Sequence, residues 1–310
     1  MRAAVLTAFG ADPEIADIEI REPGEGEVRV RVHAASVNGF DTFVAKSLLK
    51  DMMEHRFPVV LGKDFAGTVD AVGTGVDTYH VGDRVFGVVT KPYLGDGSFA
   101  EYVTVPVSVG IAALPESIDF TEGAALGLAG TAAVSAVDAA QLRPGQTVLV
   151  VGATGGVGNQ AVQLAARAGA TVVATAHTDE EKQLVTGLGA TETIDYGHDV
   201  AATVLETRPD GVDTVLHFAG DAAALLPAVR TGGRFVSTLV SSPEQLPSED
   251  ATVVPVYAIP DLAILNRFAS DRARGLARTR IDRVYRLDEV TTALSDFTGG
   301  TLGKLVITID

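Results

Sequence analysis

The sequence predicts an α/β protein in two parts, a β-rich part on the N-terminal side followed by a doubly wound parallel sheet. Three observations carry this reading. From Met1 to about Val109, apolar and polar residues alternate with a period of two, as half-buried strands require. After Pro115, short apolar runs alternate with helical segments, the pattern of βαβ units around a parallel sheet. The length of 310 residues suits two domains and allows each a sizeable core.

In order, the expected strands of the first part are residues 3–6, 27–32, 67–72, 84–89 and 100–105. Turn chemistry separates them at Pro23-Gly24, Gly73-Thr74-Gly75, Gly82-Asp83 and Gly95-Asp96-Gly97. One helix, 40–53, interrupts the strands. Residues 124–140 are apolar but broken by Gly127, Gly130, Thr131, Ser135 and Asp138, so they read as a buried helix and not as a membrane span. Five parallel strands follow, with cores at 147–151, 171–175, 212–218, 233–239 and 252–257, and helices such as 157–168 and 179–188 sit between them. The tail reads as helices over 260–275 and 288–298 and a last strand over 305–309.

Charge and composition exclude several function classes. With 24 Lys and Arg against 40 Asp and Glu, the net charge is −16, which repels phosphate backbones and anionic lipid. Nucleic-acid and membrane partners are therefore not expected. The absence of cysteine excludes disulfides, thiolate zinc sites, iron–sulfur clusters and a cysteine nucleophile. The first residues carry no long apolar stretch or small-residue cleavage site, so the expected location is cytoplasmic.

The strongest motif is Val148-Leu149-Val150-Val151-Gly152-Ala153-Thr154-Gly155-Gly156-Val157-Gly158, an apolar strand that turns through glycines into an amphipathic helix. Glycines let the backbone approach a diphosphate, and the free N–H groups of the helix start face it. Read as G-x-G-x-x-G, the run has Ala153 in the first glycine position, then Gly155 and Gly158. Dinucleotide binding is the reading, with Ala153, Thr154, Gly155, Gly156, Val157 and Gly158 as contacts; close helix–sheet packing alone is the bland alternative. NAD sites place a carboxylate on the ribose at the end of the second strand. That end here is Ala174-Thr175-Ala176-His177-Thr178, without an acid, which permits NADPH with His177, Thr178 and Lys182 as candidate partners of the 2′-phosphate. Asp179, Glu180 and Glu181 follow at once, and suit the first turn of a helix capped by Thr178. Ala219-Gly220 and Thr238-Leu239 end two further strands at the edge where such sheets bind ligands.

These residues resemble the zinc-independent quinone oxidoreductase and enoyl reductase branch of the medium-chain dehydrogenase/reductase superfamily. The likeness runs through Ala35-Ser36-Val37-Asn38-Gly39-Phe40-Asp41, Leu61-Gly62-Lys63-Asp64-Phe65-Ala66-Gly67, Val81-Gly82-Asp83-Arg84-Val85-Phe86-Gly87 and Gly97-Ser98-Phe99-Ala100-Glu101-Tyr102. It continues through Gly130-Thr131-Ala132, the glycine turn, Gly211-Val212-Asp213, Gly232-Gly233-Arg234 and Gly303-Lys304-Leu305-Val306. The resemblance implies a GroES-like catalytic domain over 1–127, rejoined by 259–310, and a Rossmann cofactor domain over 128–258. In the zinc-dependent branch a cysteine stands where Asn38 is and a His-Glu pair where Lys63-Asp64 is, so no metal is expected.

The family's chemistry would be hydride transfer from NADPH to a quinone or to the β-carbon of an enone. The resemblance places Asn38 in the cleft, where its amide can donate to the oxygen that becomes negative, and Thr131 beside the nicotinamide. Lys63 can stabilise an enolate, or it pairs with Asp64 or reaches solvent. Asp41, completing Asn-x-x-Asp, orients the helix start or touches substrate. A tyrosine found in several relatives is replaced by Phe43, so protonation falls to water or follows product release. Tyr196 matches a tyrosine beside the 2′-phosphate, with a buried aromatic as the alternative, and Lys304 approaches the cofactor phosphates or is a plain surface charge. Alternatives to quinone or enone reduction are a metal-independent ketone or alcohol oxidoreductase and a cofactor-binding protein with little catalysis. The relatives also imply a homodimer, paired through the strand at 252–257.

Overall fold

The computed structural model describes residues 1–310, which divide into two compact units, Met1–Leu128 with Pro260–Asp310 and Ala129–Ile259. The first unit is β-rich. Its central strand, Glu27–Ser36, is long enough to pair with Asp64–Val72 along one side. On the other side it pairs with Tyr102–Pro106 over its first half and with Lys304–Thr308 over its second. The C-terminal strand is thus stitched into the N-terminal sheet, with Val306 opposite Ser36 and Thr308 opposite Ala34. Alternation along Glu27–Ser36 buries Val28, Val30 and Val32, which pack with Phe65, Val85, Val105, Leu305 and Ile307. Several buried side chains of that size are worth about 1.5–3 kcal/mol each.

One expectation for this unit is corrected. The helix expected over 40–53 spans only Gly39–Ala45. It ends because Ser47 takes a left-handed conformation, φ 57°, after which residues up to Met53 form turns. The apolar segment 124–140 is a helix over Gly127–Ala140, as expected, preceded by the short helix Phe120–Ala124. Strands Glu14–Asp17 and Ile281–Arg286 were not expected from the pattern.

The second unit is a parallel sheet with helices in the crossovers, in the strand order Glu192–Ile194, Thr171–Thr175, Thr147–Val151, Val212–His217, Val229–Ser237, Thr252–Pro255. It has six strands where five were expected; the addition, Glu192–Ile194, is a three-residue edge strand on Thr171–Thr175. The order reverses between Thr147–Val151 and Val212–His217, the switch point at which such sheets bind ligands beyond their carboxyl ends. No helix in either unit is long and apolar enough to cross a membrane.

Candidate active site

The coenzyme half of the site is built at the carboxyl edge of the parallel sheet. Val151, His217 and Ser237 lie side by side in register, so Gly152, Ala219–Gly220 and Thr238–Leu239 emerge at one edge. Gly152 makes the turn with φ 78°, where a Cβ would stand 2.9 Å from that of Ala219. Its N–H donates to the buried Thr175 hydroxyl at 3.0 Å, which ties the turn to the neighbouring strand. The turn glycine therefore precedes Ala153, which is fully buried. Helix Gly156–Arg167 starts from Gly155 with no side chain capping it. A Cβ on Gly158 would lie 2.1 Å from the Gly152 carbonyl oxygen, whereas one on Gly155 would meet nothing closer than 3.6 Å. Gly158 thus allows the helix to press on the turn, and Gly155 leaves the backbone open from outside. This uncapped, positively polarised helix start fits a diphosphate, as the fold implies.

The edge is held from beneath by His217, 1% exposed. Its Nε2 donates to the Gly220 carbonyl at 3.1 Å, so its Nδ1 accepts from the Ser237 hydroxyl at 2.8 Å. Burial holds its pKa below the ordinary value. Ser237 Oγ in turn accepts from the amides of Leu239 and Val240. One buried ring thereby orders both loops that the sequence marked as coenzyme contacts.

At the end of Thr171–Thr175 the structure brings two carboxylates, Glu181 and Asp195, to His177 and Thr178. Thr178 caps helix Asp179–Gly187 by accepting from the Glu181 amide at 3.2 Å. The Glu181 carboxylate reaches back to accept from the amides of His177 and Thr178, and from the Tyr196 hydroxyl at 2.9 Å. His177 Nδ1 lies 2.7 Å from Asp195 Oδ1, and its ring is 5.6 Å from that of Tyr196. Tyr196 is half exposed, not a buried aromatic; burial and the Glu181 bond push its hydroxyl up to about 12. Lys182 lies 3.9 Å from Asp179 and is partly exposed. Glu181 and Asp195 were not among the expected site residues. Glu181 is readable as the acidic third position of a capping box, but Asp195 comes from a different strand end.

The first unit holds a buried polar cluster. Asp64, fully buried, accepts four hydrogen bonds: from Ser36 Oγ at 2.7 Å, Asn38 Nδ2 at 2.9 Å, Lys304 Nζ at 3.3 Å and the Leu128 amide at 2.7 Å. Gly127 is required beside it, since a Cβ there would lie 2.5 Å from Asp64 Oδ1. Lys304, 4% exposed, also donates to Asn38 Oδ1 at 2.7 Å and to the Val37 carbonyl at 2.9 Å. The surface-charge reading of Lys304 is therefore corrected, and its ammonium is committed to Asn38, Val37 and Asp64 rather than free for phosphates. The strand is buried on both faces from Lys304 to Ile307, so Lys304 takes a position a charge rarely occupies.

Asn38 is corrected as well. Its amide donates to Asp64 and, at 3.3 Å, to the Ser36 carbonyl, so both N–H bonds are already used within the protein. Asp41 accepts from the Asn38 amide N–H at 2.8 Å and closes the capping box of helix Gly39–Ala45. Its other oxygen, Oδ1, is buried without a partner. Burial pushes the Asp41 carboxyl up to about 7, and nearby Asp64 adds to the shift. Lys63 neither pairs with Asp64 nor points freely to solvent: its Nζ donates to the Val89 carbonyl and lies 5.0 Å from the centre of the Phe40 ring. Burial pushes its pKa below the ordinary value, with Asp41 and Asp64 opposing. Thr131 is fully buried on helix Gly127–Ala140. Phe43 is exposed at 43%.

Zinc does not fit these positions. Asn38 and Lys63 are not zinc ligands; of the two carboxylates beside them, Asp64 is filled by four donors, one of them an ammonium, and Asp41 is bonded to the Asn38 amide. No three His, Asp or Glu side chains converge on a point suited to a metal in either unit.

Residues 24–116 match the family described as alcohol dehydrogenase GroES-like domain, and residues 156–257 the family described as zinc-binding dehydrogenase. The quinone oxidoreductase of Sus scrofa is 30% identical over 99% of this chain and 97% of that protein. A mycocerosic acid synthase-like polyketide synthase of Mycolicibacterium smegmatis is 33% identical over 96% of this chain, which spans only 15% of that protein's length. The solved quinone oxidoreductase from Coxiella burnetii superposes with a TM-score of 0.90 at 27% identity, over 100% of this chain and 99% of that one. The chain belongs to the medium-chain dehydrogenase/reductase superfamily, in the branch of quinone oxidoreductases and enoyl reductases, with a GroES-like and a Rossmann-like unit. It is an oxidoreductase of that family, and a nicotinamide cofactor fits its second unit.

Proposed function

We propose that the chain is an NADPH-dependent reductase of quinones or α,β-unsaturated carbonyls that works without a metal. The observation that carries this is the open, uncapped turn at Gly152–Gly158, placed at the switch point of a parallel sheet. The bound coenzyme supplies a hydride, and the substrate is already electrophilic enough to accept it. The chain's own task is binding, orientation and charge stabilisation. The amides of Gly156, Val157 and Gly158 hold the diphosphate, while Thr178, His177, Lys182 and Tyr196 surround the adenosine ribose. In the first unit Asn38 and Lys304 have their polar atoms engaged, so the donor for a developing oxyanion is Lys63, whose ammonium has one backbone partner. Lys304 and Asp64 fix the Asn38 side chain, and Asp41 fixes the Asn38 backbone at the start of helix Gly39–Ala45. Carbon protonation comes from water or follows release, since Phe43 has no proton to give. The 30% identity to a quinone oxidoreductase supports the substrate class.

The test is NADPH oxidation in the presence of a panel of quinones, enones and simple ketones. Turnover of quinones or enones is expected. Turnover of ketones alone would replace this reading with a ketone reductase, and tight NADPH binding without turnover would replace it with a binding role. The edge strand Thr252–Pro255, followed by Tyr257 and Ile259 exposed at 65% and 67%, supports a homodimer paired along that edge. Sedimentation equilibrium should give twice the chain mass.

A further inference from the structure

We infer that His177 selects between the two reduced nicotinamide coenzymes by its protonation state, binding the 2′-phosphate of NADPH as imidazolium and the 2′-hydroxyl of NADH as neutral imidazole. This rests on the reading that the second unit binds a nicotinamide dinucleotide. His177 stands just past the end of strand Thr171–Thr175, the place from which dinucleotide folds read the ribose 2′ position.

The geometry fixes the tautomer. Asp195 Oδ1 takes the ring's Nδ1 at 2.7 Å and also accepts from the Gly197 amide at 2.7 Å. Those bonds, the Gly197 amide first, hold the Asp195 carboxyl below its ordinary range, so Asp195 is an acceptor and Nδ1 must carry the hydrogen. That leaves Nε2 at the exposed end of a side chain that is 54% accessible. In the neutral ring Nε2 is an acceptor, matched to a hydroxyl that donates. A phosphate at neutral pH offers oxygens that accept, and Nε2 can serve it only after gaining a proton.

The surrounding charges make that proton matter. From helix Asp179–Gly187 come Asp179, Glu180, Glu181 and Lys182, and from the turn after Glu192–Ile194 come Asp195, Tyr196 and His198, whose ring nitrogen is 4.0 Å from Asp195. Glu181 is screened by the amides of His177 and Thr178 and by Tyr196. Lys182 is the fixed cation of this group and lies beside Asp179. The group is otherwise acidic, so a 2′-phosphate dianion gains most from a charge that His177 can supply or withdraw. Asp195, bonded to the other ring nitrogen, stabilises that charge.

The experiment is isothermal calorimetry of NADPH and NADH on the full chain between about pH 6 and 9, on the wild type, His177→Gln and Asp195→Asn. The 2′-phosphate has its own titration near pH 6, which all three proteins share, so the comparison is between proteins and not along one curve. In the wild type the preference for NADPH should fall with rising pH, by up to about tenfold per pH unit across the changeover, relative to His177→Gln. Asp195→Asn should move the changeover to lower pH. Wild type should also take up more protons on binding NADPH than His177→Gln does, read from titrations in buffers of different ionisation enthalpy. Parallel pH profiles and equal proton uptake in wild type and His177→Gln would overturn the inference while leaving the coenzyme reading intact. Failure of both coenzymes to bind wild type at every pH would overturn the coenzyme reading and this inference with it.

Discussion

Asp41 and Lys304 show how much a single buried polar group decides here. Asp41 has one oxygen bonded to the Asn38 amide and one with no partner, and its pKa is raised by burial from 3.8 to about 7. A raised carboxyl favours the protonated form in the fold. Its contribution is full below about pH 4 and is lost as pH rises through 7, where a buried charge replaces the neutral acid. Asp41→Asn should therefore flatten the fall of Tm between about pH 4 and 7, the interval between the unfolded and folded values, and above pH 7 the variant should be the more stable by up to about 4 kcal/mol. Lys304→Met should destabilise by about 3–5 kcal/mol, because Asp64 then keeps a buried charge without its cation; Asp64→Asn added to it should recover part of the loss in a double-mutant cycle. The sequence made Asn38 and Asp41 legible through their motif. The roles of Lys304 and Asp64 were not legible, because their pairing joins positions 240 residues apart and local patterns carry no such information.

Among the elements, the glycine turn separates a packing glycine from a binding one. Gly158→Ala would force a Cβ to 2.1 Å from a backbone oxygen, so helix Gly156–Arg167 must move and thermal unfolding should shift down strongly. Gly155→Ala meets nothing within 3.6 Å and sits at φ −74°, so the variant should melt like wild type yet bind NADPH at least about tenfold more weakly. A Gly155→Ala protein with unchanged affinity would remove the turn from the coenzyme site. Strands with strict alternation and the strand–glycine–helix unit were legible because local periodicity determines them. The helix is shorter than the pattern over 40–53 predicts because Phe40, Phe43, Leu48, Leu49 and Met52 keep helical spacing through a stretch that left-handed Ser47 breaks into turns. Glu192–Ile194 was missed because it is three residues long and exists only by pairing with a ready-made edge.

At the level of the whole molecule, the second unit is one continuous segment and the first is closed by the chain's last 51 residues. A fragment of residues 129–259 should fold alone and bind coenzyme, as circular dichroism and calorimetry would report. A chain ending at residue 300 should lack cooperative unfolding, since Glu27–Ser36 loses its neighbour and Asp64 loses Lys304. Neither the pairing of the tail with the start nor its register is written in any local pattern; only the resemblance to a known family suggested that the tail returns. That arrangement has a consequence for biosynthesis. The second unit is complete once Ile259 has left the ribosome, while the first unit's polar cluster waits for Lys304. Synthesis halted before Lys304 thus yields a second unit ready to fold beside a first unit whose Asp64 has no cation.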